Sequence, residues 1–368
     1  MRKRIGLLCA SACLLLAGCA QDQRILERIG YVETAAFDAS PEGKIKVTVS
    51  IPLVTQFAKN GETTDELLTT VAKSPKEANK ELGLRTSRII VSGQIRTLMF
   101  GEALARMGLW KHMDTFYRDP TISQRTSVVV VEGDAGTVIS QEFPRHTKTA
   151  NYINKLLQKE YNRQGSPRTM LHQFVRDYFD DGQDPIAVMI KEQKKDITVS
   201  GLAMFQKDRM VGKIPCKDMF IFSLMYQNMS RGEFSIKTDN PNLEAISFHS
   251  VKSKRKIKIT KTESGEYEAD IFINVVSGVE EYIGNLKLSG ADRQKVEVMV
   301  SDYIAEEAAR IVKEMQKIGA DGIGIGRYVR NRMSYAEWKR TAWHDMYSEM
   351  PVRVHCSFLI KHFGTYFD

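Results

Sequence analysis

The chain has 368 residues, 42% apolar and 27% charged, with a net charge of +8. That length is enough for two or three domains, and the composition excludes a disordered or low-complexity chain. The charge is only mildly basic: Arg2, Lys3 and Arg4 supply three of the eight with no acid beside them, leaving +5, which fits proximity to anionic headgroups and carries no nucleic-acid signature.

From the N terminus, Arg2, Lys3 and Arg4 precede an apolar run from Ile5 to Leu16. Roughly a dozen residues fall short of the ~20 a membrane-spanning helix needs, so the run reads as an export signal. Its end, Leu16-Ala17-Gly18-Cys19, has the pattern of a bacterial lipoprotein signal. The small residues suit a signal peptidase, and the Cys19 thiol accepts a diacylglycerol. Removal of residues 1–18 tethers the rest at the outer face of a membrane, and two acyl chains hold such a tether stably. The plainer alternative is a secretory signal with a chance cysteine. No later segment has spanning length; the nearest, Met219 to Met229, is short and interrupted by Ser223, Gln227 and Asn228.

The next elements follow from periodicity. Ile45, Val47, Val49, Ile51 and Leu53 alternate with polar residues, predicting a half-buried, edge-type strand. Ser74-Pro75-Lys76-Glu77 predicts a helix start, with Ser74 as cap, Pro75 in the first turn and Glu77 completing a capping box. Arg88–Ser92 and Thr97–Phe100 are apolar runs, the second feeding a helix from about Glu102 that breaks at Gly108 and stops at Asp119-Pro120. Ser127–Val131 predicts a buried strand, and the spacings around Tyr152–Leu157 and Leu171–Phe179 predict helices. Strands follow at Pro185–Ile190 and at Ile197–Ile214, the latter a hairpin turning at Lys207-Asp208-Arg209, and 215–229 reads as a partly buried helix. Beyond about Glu233 come strand-like runs at 244–251, 255–261 and 267–276. A long amphipathic helix then spans about Ala291 to Ile318, with Glu306 and Arg310 placed to pair. A tight linker, Asp321-Gly322-Ile323-Gly324-Ile325-Gly326, leads to a helix through Trp338 and Trp343. A final strand puts Val352, Val354, Cys356, Phe358 and Ile360 on one face. Strands feeding strands before helices indicate a multi-domain α+β chain with mixed and antiparallel sheets. The expected division is residues 19–213 and 214–368, with a possible further seam near 141–150.

Catalytic motifs are not evident. The seven histidines lack metal spacing, and no G-x-S-x-G or Walker A loop occurs. His355 and Cys356, adjacent on a strand, point to opposite faces and cannot pair as base and nucleophile. Gly322, Gly324 and Gly326 follow a helix rather than a strand, so they do not form a dinucleotide fingerprint. No metal or cofactor is expected. Cys9 and Cys13 leave with the signal and Cys19 is lipidated; of Cys216 and Cys356, the latter reads as a buried thiol rather than half of a bridge. Lys254, Lys256 and Lys258 share a strand face that either meets lipid phosphates or is a solvated edge that blocks aggregation.

Taken in order, several segments resemble the Ger(x)C family, the lipoprotein C subunits of spore germinant receptors. They are Cys19 with Asp22-Gln23-Arg24-x-Leu26-Glu27; Gly101-Glu102 with Ala105 and Gly108-Leu109; Arg118-Asp119-Pro120 and the strand after it; Gly201-Leu202-Ala203-Met204-Phe205; and Asp321-x-Ile323-Gly324-x-Gly326 followed by Trp338. The chain departs from the pattern at Ala20 and Gln21, where a tryptophan is usual, and at Ile25, where glutamate is usual. The resemblance implies a non-enzymatic, lipid-anchored subunit in the inner spore membrane, partnered by a polytopic B subunit and a membrane-spanning A subunit. Such a receptor responds to nutrients and triggers ion and dipicolinate release. A solute-binding lipoprotein of an importer is the alternative, and it requires two lobes around a polar cleft. An envelope hydrolase requires a perturbed carboxylate facing a histidine in a cleft.

Overall fold

The computed structural model describes residues 28–53, 65–143, 146, 148–286 and 290–362. The first half contributes, in chain order, β1 (Ile29–Tyr31), β2 (Thr34–Ala39), β3 (Ile45–Pro52), β4 (Asp65–Ala72), α1 (Pro75–Gly83), β5 (Ile89–Val91) and β6 (Thr97–Gly101). There follow α2 (Glu102–Met107), α3 (Trp110–Arg118), β7 (Ser127–Val131), α4 (Ala135–Ser140), α5 (Thr149–Asn162), α6 (Leu171–Phe179), β8 (Ile186–Gln193), β9 (Asp196–Gln206) and β10 (Arg209–Pro215).

Eight of these strands form one mixed sheet in the order β10-β9-β8-β7-β6-β2-β3-β4, and β1 and β5 pair separately. The central four, β2, β6, β7 and β8, run parallel. A parallel strand is covered on both faces, which is why all five residues of β7, Ser-Val-Val-Val-Val, are buried. Period-two alternation then divides the sheet between two cores. Phe37, Leu98, Phe100, Val130, Met189 and Phe205 face α1, α2, α3 and α6. Ala36, Met99, Val129, Val188 and Met204 face α4, α5 and the second half of the chain.

The Ile45–Leu53 strand is not an edge. The strand β4, which has no strong alternation, pairs outside it. As a result Thr48 and Ser50 are buried, bonded to Thr69 and Asp65. Ser74 caps α1 by accepting the Glu77 N–H, whereas Glu77 reaches the Lys73 N–H rather than Ser74's own. The break at Gly108 has φ 118° and separates α2 from α3.

The second half contributes a short turn Cys216–Asp218, then α7 (Met219–Tyr226), β11 (Phe234–Lys237), β12 (Ala245–Lys261), β13 (Tyr267–Ile283), α8 (Gly290–Lys317), α9 (Ile325–Arg330), α10 (Tyr335–Arg340), α11 (Trp343–Glu349) and β14 (Val352–His362). Its four-stranded sheet has the order β11-β12-β13-β14, with β14 parallel to β13. The runs 244–251 and 255–261 are one 17-residue strand, kinked where register shifts between His249 and Lys252 and Ser250 takes φ 54°.

The helix expected through Trp338 and Trp343 is two helices. Five residues turn a helix by about 500°, which would point the two indoles to opposite sides. Extended backbone at Thr341 and Ala342 instead lets both rings enter one core, 5.9 Å apart. The buried stripe of α8 is Val296, Val300, Ile304, Ala308, Ile311, Val312 and Met315. Arg310 does not pair with Glu306: it turns to Glu307, Glu314 and the buried Asp218 ahead of α7, where three carboxylates outcompete one. Side chains of α8 also occupy the open edge of β14, Ser301 accepting the Phe358 N–H and Glu297 the Ile360 N–H. Cys216 and Cys356 are both free thiols. Among the described residues no helix is long and apolar enough to cross a membrane.

Candidate functional site

The best-defined polar site joins the loop after α6 to the glycine-rich segment before α9. Asp321 is fully buried, and its carboxylate accepts the N–H groups of Gly324 (2.8 Å), Ile325 (3.0 Å) and Gly326 (2.7 Å). These are orphan donors of the first turn of α9, so Asp321 works as an extended cap. Burial still dominates and pushes its carboxyl up to about 7. Gly324 takes φ 80°, where a side chain would also strike Gln183.

From the first half, Asp184 docks on this segment. Its N–H bonds to the Asp321 carbonyl, and its Oδ2 accepts the Asp321 N–H at 2.9 Å. Its Oδ1 accepts the Lys207 N–H, and His344 on α11 approaches Oδ2 at 2.9 Å, a contact that raises the imidazole pKa. Around this ladder Arg330 pairs with Asp180, Lys339 with Asp181, and Arg327 donates to Gln183. Backbones meet where Gly182 crosses Gly326: a Cβ on Gly182 would sit 2.6 Å from the Gly326 carbonyl carbon, and one on Gly326 2.5 Å from the Trp343 ring. Both positions therefore require glycine by close approach, not by turn geometry.

A hydrolase requires a perturbed carboxylate facing a histidine, but here the raised carboxyl is that of Asp321 while His344 contacts Asp184, and the geometry is that of a staple. Both oxygens of Asp321 and both of Asp184 are already engaged by the chain's own groups, and neither residue exceeds 2% exposure. A substrate would have to break the seam to reach them. Among the described residues no group of three His, Cys, Asp or Glu side chains could hold a metal ion.

A second junction gathers the motif around Gly101. The Asp38 carboxylate accepts the N–H groups of Ala135 (2.6 Å) and Gly136 (2.7 Å), anchoring α4. A Cβ at Gly101 would lie 2.2 Å from that carboxylate. Glu102 pairs with Arg106 on the surface of α2, and Ala105 is fully buried beneath it. A Cβ at Gly108 would press on Asp208, whose carboxylate accepts the Trp110 N–H. Arg118 pairs with Asp114, and Asp119 accepts both the N–H and the hydroxyl of Thr121, closing the turn that contains Pro120. Gly201 lies against the Ile214 carbonyl in the β9–β10 hairpin, and Phe205 packs edge-on to Phe174 at 5.0 Å. Thus Asp321, Gly324, Gly326 and Trp338 come together at the seam, whereas the Gly101, Arg118 and Gly201 groups sit at three separate places. Cys19 lies outside the described residues.

Sequence reasoning missed Asp38, Gly182, Asp184 and His344. The one available signal was the dense Asp180-Asp181-Gly182-Gln183-Asp184-Pro185 turn, whose acids have no pattern until α9 to α11 pack on them. Lys252, Lys254, Lys256 and Lys258 are exposed on the outer face of β12. On the side away from β13, β11 pairs only with residues 245–248. Beyond the Met229 bridge to Ser253 and the Asn228 side chain on the Arg255 N–H, no described strand pairs with β12 there, so Lys254, Lys256 and Lys258 lie on the solvent face of an edge segment beside Tyr328, Asn331 and Arg332. Arg255 points the opposite way, half-buried, and donates to the Met225 carbonyl.

Residues 22–192 match the family model described as the spore germination protein N-terminal domain, and residues 200–364 that of the spore germination B3/GerAC-like C-terminal domain. The chain is 23% identical over 342 residues to the spore germination protein GerQC of Bacillus cereus, covering 93% of each. Its fold is shared with the crystal structure of the GerBC protein at a TM-score of 0.56 and 16% identity, over 91% of this chain and 99% of that one. The chain belongs to the Ger(x)C family of spore germination proteins.

Proposed function

We propose that this chain is the lipid-anchored C subunit of a germinant receptor, acting through contacts with A and B membrane subunits rather than by catalysis. The observation that carries the reading is the closed seam. The family-motif residues Asp321, Gly324 and Gly326 spend their polar groups on joining the two halves of the chain. What remains to act on a partner is outer surface, held in one shape by that staple. The same ladder speaks against a solute-binding lipoprotein, which needs a cleft between its halves where Asp184 and Asp321 interlock. The tether is Cys19, at the outer face of the inner spore membrane, and the lysine face of β12 supplies charge suited to anionic headgroups at about 1 kcal/mol per cation.

The test is nutrient-triggered dipicolinate release from spores lacking the paralogous receptors, comparing wild type, Cys19→Ala and a deletion. Release triggered by calcium-dipicolinate is the control. Loss of the nutrient response alone in both mutants supports a tethered receptor subunit. A normal response in the deletion strain across several nutrients overturns it.

A further inference from the structure

We infer that the cleft at the leading ends of β6 and β7 binds a small multivalent oxyanion, a phosphate ester or a di- or tricarboxylate. The cleft has a volume of about 470 Å³, within the usual range for small-molecule sites. Three arginines from three separate segments line it: Arg96 just ahead of β6, Arg125 between α3 and β7, and Arg168 between α5 and α6. One wall is the polar stripe Asn154, Gln158 and Asn162 on α5, spaced four residues apart and so on one helix face.

The charge balance decides the ligand class. No described residue lining the cleft is acidic. Arg96 has a partner in Glu33 at 3.4 Å, whereas Arg125 and Arg168 form no ion pair among the described residues. At least two guanidinium charges therefore face the cleft uncompensated. The C-terminal end of α5 opposes them with only about half a negative charge. Guanidinium forks with amide donors beside them match planar or tetrahedral oxyanions. A zwitterionic amino acid is disfavoured, because its ammonium group would find three cations and no carboxylate. The site is separate from the Asp184–Asp321 seam and does not depend on the receptor reading.

The experiment is calorimetric titration of the detergent-solubilised full chain at constant ionic strength with inorganic phosphate, glycerol phosphate and tricarballylate, and with glycine as the zwitterion. Saturable binding of at least one oxyanion is expected, with glycine silent. Binding should weaken at least tenfold in Arg125→Gln/Arg168→Gln and stay unchanged in Lys313→Gln/Lys317→Gln, which removes equal charge from the exposed side of α8. A second measurement needs no variant: the bound oxyanion should protect Arg125 and Arg168 from phenylglyoxal. Protection by phosphatidylglycerol vesicles but not by soluble probes would assign the oxyanion to a lipid headgroup. Absence of saturable binding together with absence of protection, or equal loss in both double variants, overturns the inference.

Discussion

Substitution of Gly326 by alanine tests whether the seam holds the two halves together. The new methyl group would lie 2.5 Å from Cε2 of Trp343 and 2.8 Å from the Gly182 carbonyl oxygen, where ordinary contact begins at 3.4 Å. The ring must therefore retreat by nearly 1 Å, yet Trp343 is 5% exposed and packed between Trp338 and Tyr347 at 5.9 and 5.5 Å. Gly182 cannot give way easily either, because its N–H is held by Asp180. Overpacking of this kind costs about 1–3 kcal/mol, and alanine in a helix recovers about 1 kcal/mol over glycine. The expected net loss is up to about 2 kcal/mol, read by urea unfolding with tryptophan fluorescence, since two of the three tryptophans sit at the seam. Gly83→Ala is the control: nothing lies within 4 Å of its added methyl, so stability should hold or rise by up to about 1 kcal/mol. Gly182→Ala overfills the same contact, so the double variant should be less destabilised than the two losses added. A Gly326→Ala protein more stable than wild type, showing the helix gain with no overpacking cost, would refute the close-packed seam.

Three further outcomes follow from named groups. The Asp321 carboxyl is raised to about 7 by burial and the His344 imidazole is raised by Asp184, so the folded state holds protons that the unfolded chain releases. Stability should accordingly fall as pH rises from about 5 to 8, and Asp321→Asn should flatten that slope whatever its absolute stability. Asp119, Asp181 and Asp270, held low by their partners, act in the opposite sense, and their contribution is lost at more acid pH. Ser74→Ala removes the cap of α1 and should cost about 1 kcal/mol, seen as faster amide exchange in residues 76–78. Iodoacetamide should alkylate the exposed Cys216 well before Cys356, whose thiol burial pushes up to about 12; peptide mapping that finds the reverse order, or a bridge, contradicts the structure.

The sequence by itself determined elements whose signals are local. The cap at Ser74, the break at Gly108, the hairpin at Lys207-Asp208-Arg209 and the stripe of α8 are written in spacings shorter than three turns. The α+β class and the family were legible too, because the motifs keep their order along the chain. Only the tertiary structure decided what depends on distant partners. The strand β4 has weak alternation because it lies at the sheet edge, so its presence, and with it the burial of Thr48 and Ser50, had no local signature. The split between α10 and α11 follows from a core that must admit both Trp338 and Trp343. Above all, Asp321 read as part of a linker. It became the centre of a staple only when Asp184, 137 positions earlier, was folded onto its N–H. A carboxylate's role is set by the donors around it, and those donors are assembled by packing, not by sequence neighbours.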